Sequence, residues 1–256
     1  MTSLSEHTII LLHGMFGLPD MWDASLPSIP ADWRVLAPEM PVFDGPPHHI
    51  GVNGLARFVT ETMDSAGIKS AVFGGNSLGG HVALQFTLDH PERVAGLVLS
   101  GSSGLFERGI VSNVPRHPDR DWVRERIREI FVDAVHVTEK RIDDVMLVLQ
   151  DRRRAMNLLR VAKSAKRTHL GQVLHRIKCP VLLVWGADDF VTPPEVAREF
   201  KDYMPQSELH FIPECGHVPM IERPAEFGRL LNAYLRRTFD PPPARPAPLQ
   251  LSTRSA

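Results

Sequence analysis

The sequence predicts an α/β fold: a doubly wound, six-stranded, mainly parallel sheet with a helical cap. Three observations point to it. Short apolar runs of strand length recur through most of the 256 residues, each bounded by glycine, proline or aspartate. Stretches with apolar side chains at helical spacing lie between several of these runs, and alternation of that kind marks a sheet covered by helices on both faces. The third observation is a serine set among glycines where one run meets a helical stretch, in Gly74-Gly75-Asn76-Ser77-Leu78-Gly79-Gly80.

The strand-like runs, in order, are Thr8–Leu12, Arg34–Ala37, Ala71–Phe73, Val94–Ser100, Val181–Trp185 and Leu209–Ile212. Helical periodicity appears at Gly54–Ala66, through Leu55, Phe58, Val59, Thr62 and Met63, and again at Gly79–Asp89. A third such stretch, Pro193–Asp202, opens on a Thr-Pro start signal. Between Gly104 and Ile177 the alternation stops. Trp122–Val132, Thr138–Gln150 and Asp151–Ser164 read there as helices rich in Arg and Lys, with no strand between them. The simplest organisation is a sheet core from 1–103 and 178–239 with 104–177 inserted as a helical cap, or lid. Residues 240–256 hold Pro241, Pro242, Pro243, Pro246 and Pro248 with little to bury, so they read as a disordered tail.

Composition limits the function classes. Lys and Arg total 29 against 30 Asp and Glu, a formal charge of −1, so no basic field points to nucleic acid. No apolar run nears the length that crosses a bilayer, and Met1–His7 lacks the pattern of a secretory leader. Cys179 and Cys215 form neither a disulfide framework nor a metal set and read as buried apolar residues. A cytoplasmic protein is expected, with no membrane or nucleic-acid partner and its oligomeric state open.

The glycines around Ser77 describe a strand that turns sharply into a helix, a corner that forces unusual backbone angles and exposes the side chain. A serine hydroxyl reacts as a nucleophile only with a base to take its proton, an acid to orient that base and donors for the developing oxyanion. A carboxylate follows the fifth run in Gly186-Ala187-Asp188-Asp189-Phe190-Val191-Thr192-Pro193. An imidazole follows the sixth in Pro213-Glu214-Cys215-Gly216-His217-Val218-Pro219. Ser77, Asp189 and His217 thus follow strand C-termini, the edge where open parallel sheets build their sites, with Asp188 as the rival acid. The loop Leu12-His13-Gly14-Met15-Phe16-Gly17 follows the first run and turns amides inward. The amide of Met15, or of Phe16, would pair with that of Leu78 as an oxyanion hole. His13 reads as a residue that holds this loop by hydrogen bonding. The side chains of Met15, Phe16, Leu78 and Val218 would line an apolar pocket.

The loop beginning His13-Gly14, the Gly75–Gly79 elbow, the Asp loop and the segment Gly216-His217-Val218-Pro219-Met220-Ile221-Glu222-Arg223-Pro224 together resemble the α/β-hydrolase superfamily, over about Thr8 to Phe239. The resemblance implies a Ser77-His217-Asp189 triad, an acyl-enzyme route and no metal or organic cofactor. Only Met1–His7 precede the first run, so the two antiparallel N-terminal strands common in the family are missing and the expected strand order is 2-1-3-4-5-6. The elbow and cap look like the carboxylesterase and meta-cleavage-product C–C hydrolase branches. The second usually has an aromatic residue after the catalytic His, where this chain has Val218.

These readings favour hydrolysis of carboxylic esters with small to medium acyl chains. The alternatives are C–C bond hydrolysis of vinylogous diketones, or a slow-turnover ligand receptor on the same fold. Cap cations from Arg152 to Arg167 read mostly as a solvated face, with Arg154 the candidate partner for a substrate carboxylate. Asp20, Asp23 and Asp44 read as surface caps. His48 and His49 sit in a proline-rich loop without carboxylates at ligand spacing, so no metal is expected there.

Overall fold

The computed structural model describes residues 7–108, 115 and 117–240. Six strands, β1 (Thr8–Leu12), β2 (Arg34–Leu36), β3 (Ala71–Asn76), β4 (Val94–Ser100), β5 (Val181–Gly186) and β6 (Glu208–Ile212), form one sheet in the order β2-β1-β3-β4-β5-β6. Every neighbouring pair is parallel, with registers such as Leu12 beside Gly75, Asn76 beside Ser100 and Gly186 beside Ile212. This is the order expected from the sequence. It places the C-terminal ends of β1, β3, β5 and β6, the four strands that precede the motifs, along one edge.

Side chains of successive strand residues point to opposite faces, and the core divides accordingly. Ile10, Leu12 and Phe73 pack with α1 (Val52–Ser65), α2 (Leu78–Asp89) and α6 (Pro194–Tyr203) through Leu55, Val59, Leu84, Phe86 and Phe200. Ile9, Leu11, Val72 and Val184 pack on the other face against Trp22 of the 3-10 segment Pro19–Ser28 and Phe227, Leu231 and Leu235 of α8 (Pro224–Phe239). A large aliphatic or aromatic side chain buried this way contributes about 1.5–3 kcal/mol. The short helix α7 (Pro219–Glu222) joins the end of the sixth strand's loop to α8.

Between β4 and β5 lie α3 (Arg120–Arg128), α4 (Glu139–Gln150) and α5 (Arg152–Arg167). Each starts on a capping side chain. Asp119 accepts from the Trp122 amide at 2.8 Å, Thr138 from Arg141 at 3.3 Å and Asp151 from Arg154 at 2.9 Å. Such caps contribute about 1 kcal/mol each. Val123, Ile127 and Ile142 form a small core of their own with Trp122, Phe131 and Val145 around it. The helix expected to run to Val132 stops at Arg128, because the chain beyond it turns to give the Ile130 carbonyl to the His217 amide at 2.8 Å.

The expected tail at 240–256 lies outside the described residues beyond Asp240, which accepts from Trp33 Nε1 at 3.4 Å. No helix among the described residues is long and apolar enough to cross a membrane.

Candidate active site

Strand β3 ends at Asn76 and α2 begins at Leu78, so Ser77 alone makes the corner, at φ 54° and ψ −118°. A non-glycine residue there is strained and persists only where its surroundings hold it. The Ser77 amide donates to Ser100 O at 3.2 Å, and Ser77 O accepts from the amides of His81 and Ser103, each at 3.1 Å. The glycines on either side are required by crowding. A Cβ on Gly79 would stand 2.2 Å from Leu12 O, and one on Gly75 would stand 2.6 Å from the Gly80 nitrogen.

His217 and Asp189 meet beside this corner. The imidazole Nδ1 donates to Asp189 Oδ2 at 2.9 Å and Oδ1 at 3.1 Å, and both residues are 3% exposed. The carboxylate also accepts from the amides of Val191 at 2.8 Å and Thr192 at 2.9 Å, and from Thr192 Oγ1 at 2.9 Å. A buried carboxylate held by several donors is fixed in place. With the proton on Nδ1, Nε2 carries the lone pair, and it is buried without a hydrogen-bond partner among the described residues. Asp188 is exposed, and its amide donates to Cys215 O at 3.0 Å, so of the two neighbouring acids Asp189 is the one in contact with the imidazole.

His13 is buried and braces the loop after β1: Nε2 accepts from the Met40 amide at 2.8 Å, leaving Nδ1 to donate to Gly14 O at 2.8 Å. Burial holds its pKa below the usual histidine value. Gly14 packs on the elbow, where an added Cβ would stand 3.4 Å from Ser77 Cβ. Neither the Met15 nor the Leu78 amide donates to another group among the described residues. Leu78 is the first residue of α2, whose amide has no partner within its own helix.

Ser77 and His217 open on one cavity of about 670 Å³. Met15, Phe16 and Val218 line its floor, as the sequence suggested, but the Leu78 side chain does not. It lies in the core under α2, because residues at the start of that helix face the sheet. The roof comes from α3 and α4, through Trp122, Val123, Arg126, Ile127 and Val148 among others, and from Phe131 in the segment after α3. Arg154 reaches the rim already occupied: its Nε donates to Asp44 Oδ1 at 3.0 Å and its Nη2 lies 2.9 Å from Oδ2. Asp44 is therefore the partner of Arg154 rather than a helix cap, and Asp20 and Asp23 lie at the cavity mouth.

Sequence reasoning missed Arg126 and Arg141. Arg126 lines the cavity with a buried Nε that has no partner among the described residues, while its Nη1 pairs with Glu129 at 2.9 Å. Arg141 lines it too, stacks 5.1 Å from the Phe131 ring centre and has no carboxylate partner among the described residues. Arg126 shares the helix face of Trp122 and Val123, a spacing visible in the sequence. Asn76 was also missed: its Nδ2 donates to Ser100 O and His217 O, both at 2.9 Å.

Three groups elsewhere carry chemistry-bearing side chains. Folding brings Glu61 to His49 Nε2 at 2.9 Å beside His48, a carboxylate that spacing along the chain did not reveal. Cys179 and Cys215 are free thiols that burial raises to about 11 and about 12. His81, on the first turn of α2, is fully buried with neither ring nitrogen hydrogen-bonded among the described residues, and burial lowers its pKa to about 4.

Comparison with known proteins gives this geometry a lineage. The chain is 28% identical to a 2-hydroxy-6-oxononadienedioate/2-hydroxy-6-oxononatrienedioate hydrolase of Paraburkholderia phymatum, over 91% of this chain and 88% of the relative. It is 29% identical to a 2-hydroxy-6-oxo-6-phenylhexa-2,4-dienoate hydrolase of Comamonas testosteroni, over 90% and 87%. Among solved structures, an alpha/beta hydrolase enzyme from a sediment metagenome of the Mar Chica lagoon, Morocco, superposes with a TM-score of 0.73 at 32% identity, covering 91% of this chain and 92% of that one. The model of the alpha/beta hydrolase family matches residues 9–230, and the chain belongs to that family.

Proposed function

We propose that this hydrolase works through Ser77, His217 and Asp189 and cleaves a carbon–carbon bond next to a ketone in a carboxylate-bearing substrate of the 2-hydroxy-6-oxo-dienoate class. The observation that carries the catalytic part is the buried His217–Asp189 pair, whose histidine lines the same cavity as Ser77 and keeps Nε2 without a partner among the described residues. In this reading Nε2 takes the Ser77 proton as the oxygen attacks the ketone carbon, Asp189 holds the imidazole tautomer, and the Met15 and Leu78 amides receive the oxyanion. Before the attack the 2-hydroxyl proton moves to the carbon beside the ketone, giving the 2-oxo tautomer in which that carbon is tetrahedral. The bond from it to the attacked carbon then breaks, and it leaves with the electron pair delocalised into the conjugated 2-oxo acid. His217 returns the proton to the leaving group, and water releases the acyl group from Ser77. No step calls for a metal or an organic cofactor.

The names of the relatives support C–C cleavage over the ester hydrolysis that the sequence favoured. Cations on the cavity wall support it as well: among the described residues, Arg141 has no carboxylate partner and Arg126 keeps an unpartnered Nε. Ester hydrolysis stays as the second reading on one observation, the apolar Val218 on the floor after His217. One preparation assayed on a 2-hydroxy-6-oxo-dienoate and on a series of p-nitrophenyl esters decides between them. The first reading expects the dienoate to be favoured in kcat/KM, with Arg141→Ala raising KM for the dienoate and leaving the esters unchanged. Efficient ester turnover with feeble dienoate cleavage selects the second, and tight binding with negligible turnover of both selects the receptor.

A further inference from the structure

The carboxylate of Glu222, at the end of α7, is 6% exposed and has no Lys or Arg in ion-pair contact among the described residues. It is held by main-chain amides alone. Its Oε1 accepts from Gly216 at 2.8 Å, and its Oε2 accepts from Val132 at 2.8 Å and Asp133 at 3.3 Å. Gly216 immediately precedes His217, whereas Val132 and Asp133 belong to the segment leaving α3, which roofs the cavity. The two segments also touch directly, through the His217 amide and Ile130 O at 2.8 Å. They approach so closely that a Cβ on Gly216 would stand 2.5 Å from Ile130 O.

A carboxylate in so dry a place is costly unless every donor stays aligned, so each donor is constrained by the others. We propose that Glu222 is a positioning residue that locks the main chain of the His217 loop to the root of the helical insertion, setting the imidazole and the cavity roof as one unit. Three main-chain groups of the loop are held: Gly216 N by Glu222, His217 N by Ile130 O and His217 O by the side-chain Nδ2 of Asn76. Roof side chains such as Ile130 and Phe131 move only if the His217 loop moves too.

The kinetic arm of the test rests on the hydrolase reading above, and the exchange arm does not. Glu222→Gln keeps the shape but turns an NH₂ toward a main-chain N–H, so one side of the lock must open. Amide hydrogen exchange is followed in peptides covering Ile130–Asp133 and Cys215–Val218. Both are expected to speed up together, by about tenfold or more. In the same variant kcat is expected to fall by about 10–100-fold. KM should hold for a short p-nitrophenyl ester and rise for a dienoate that fills the cavity. Glu222→Asp, which keeps the charge but shortens the reach, should show both effects in milder form, and it carries the comparison if the Gln variant does not fold. Faster exchange in only one of the two segments overturns the proposal. So does a variant with lowered Tm whose kcat, measured where it is fully folded, equals the parent's. If a fluorophosphonate fails to label the parent at Ser77, the hydrolase reading falls and the exchange result alone decides the lock.

Discussion

His217 donates from Nδ1 to both carboxylate oxygens of Asp189, at 2.9 and 3.1 Å, across a sequence separation of 28 residues. Because Asp189 accepts three further bonds from its own loop, the carboxylate is held independently of the imidazole. The pairing therefore sets the tautomer of His217, and the exposed Asp188 next to it does not.

Replacing Asp189 with Asn swaps an acceptor for a donor opposite Nδ1 and favours the tautomer with its proton on Nε2. Turnover should drop by about 10⁴-fold, as in other triads that lose their acid. Asp188→Asn should stay within about twofold, since a surface substitution touches none of these bonds. Steady-state kinetics on both variants checks the pair, and the reverse ranking would displace Asp189.

At Ser77, activity and stability should separate. Ser77→Ala keeps the strained backbone and removes the proposed nucleophile, so fluorophosphonate labelling should vanish and turnover fall by several orders of magnitude. Ser77→Gly should be as inactive yet more stable than the Ala variant by about 1 kcal/mol, because glycine relieves the left-handed angle. Denaturant titration of the two variants measures the difference, and equal midpoints would mean that the corner stores no strain.

His81 predicts a sensitivity to acid. Its folded pKa of about 4 lies below the unfolded value of 6.5, so its neutral burial stabilises fully above pH 6.5 and that contribution fades as pH falls toward 4. The difference corresponds to about 3 kcal/mol at the low end. His81→Leu removes the proton site while filling similar volume, and its stability should fall less steeply than the parent's between pH 6.5 and 4. Urea titrations across that range are the measurement, and parallel curves would remove His81 as the source.

The Arg154–Asp44 bridge should matter little to folding, being half-exposed and screened by salt. Asp44→Ala is expected to leave Tm unchanged at about 0.5 M salt. The same change frees Arg154 at the cavity rim, and KM for a carboxylate substrate should then fall at low salt. A KM that does not respond would leave Arg154 without a part in binding.

The sequence by itself determined the strands and, with the family resemblance, the order that the sheet shows, and it marked which residues stand at the strand ends. Each strand is a local apolar run, and the glycines of the elbow and the acid and histidine loops are local requirements readable from a few adjacent residues. It also held signals that were passed over: Phe227, Leu230, Leu231, Tyr234 and Leu235 repeat at helical spacing along α8. Only the tertiary structure decided which of two adjacent acids reaches His217, and that Leu78 faces the core while Arg126 and Arg141 face the cavity. It alone showed that Arg154 is taken by Asp44 and that Glu222 joins the His217 loop to the insertion. These are contacts between segments far apart in the chain. They depend on how helices of the insertion rotate and settle on the sheet edge, and helical spacing fixes which residues share a face without fixing what that face meets.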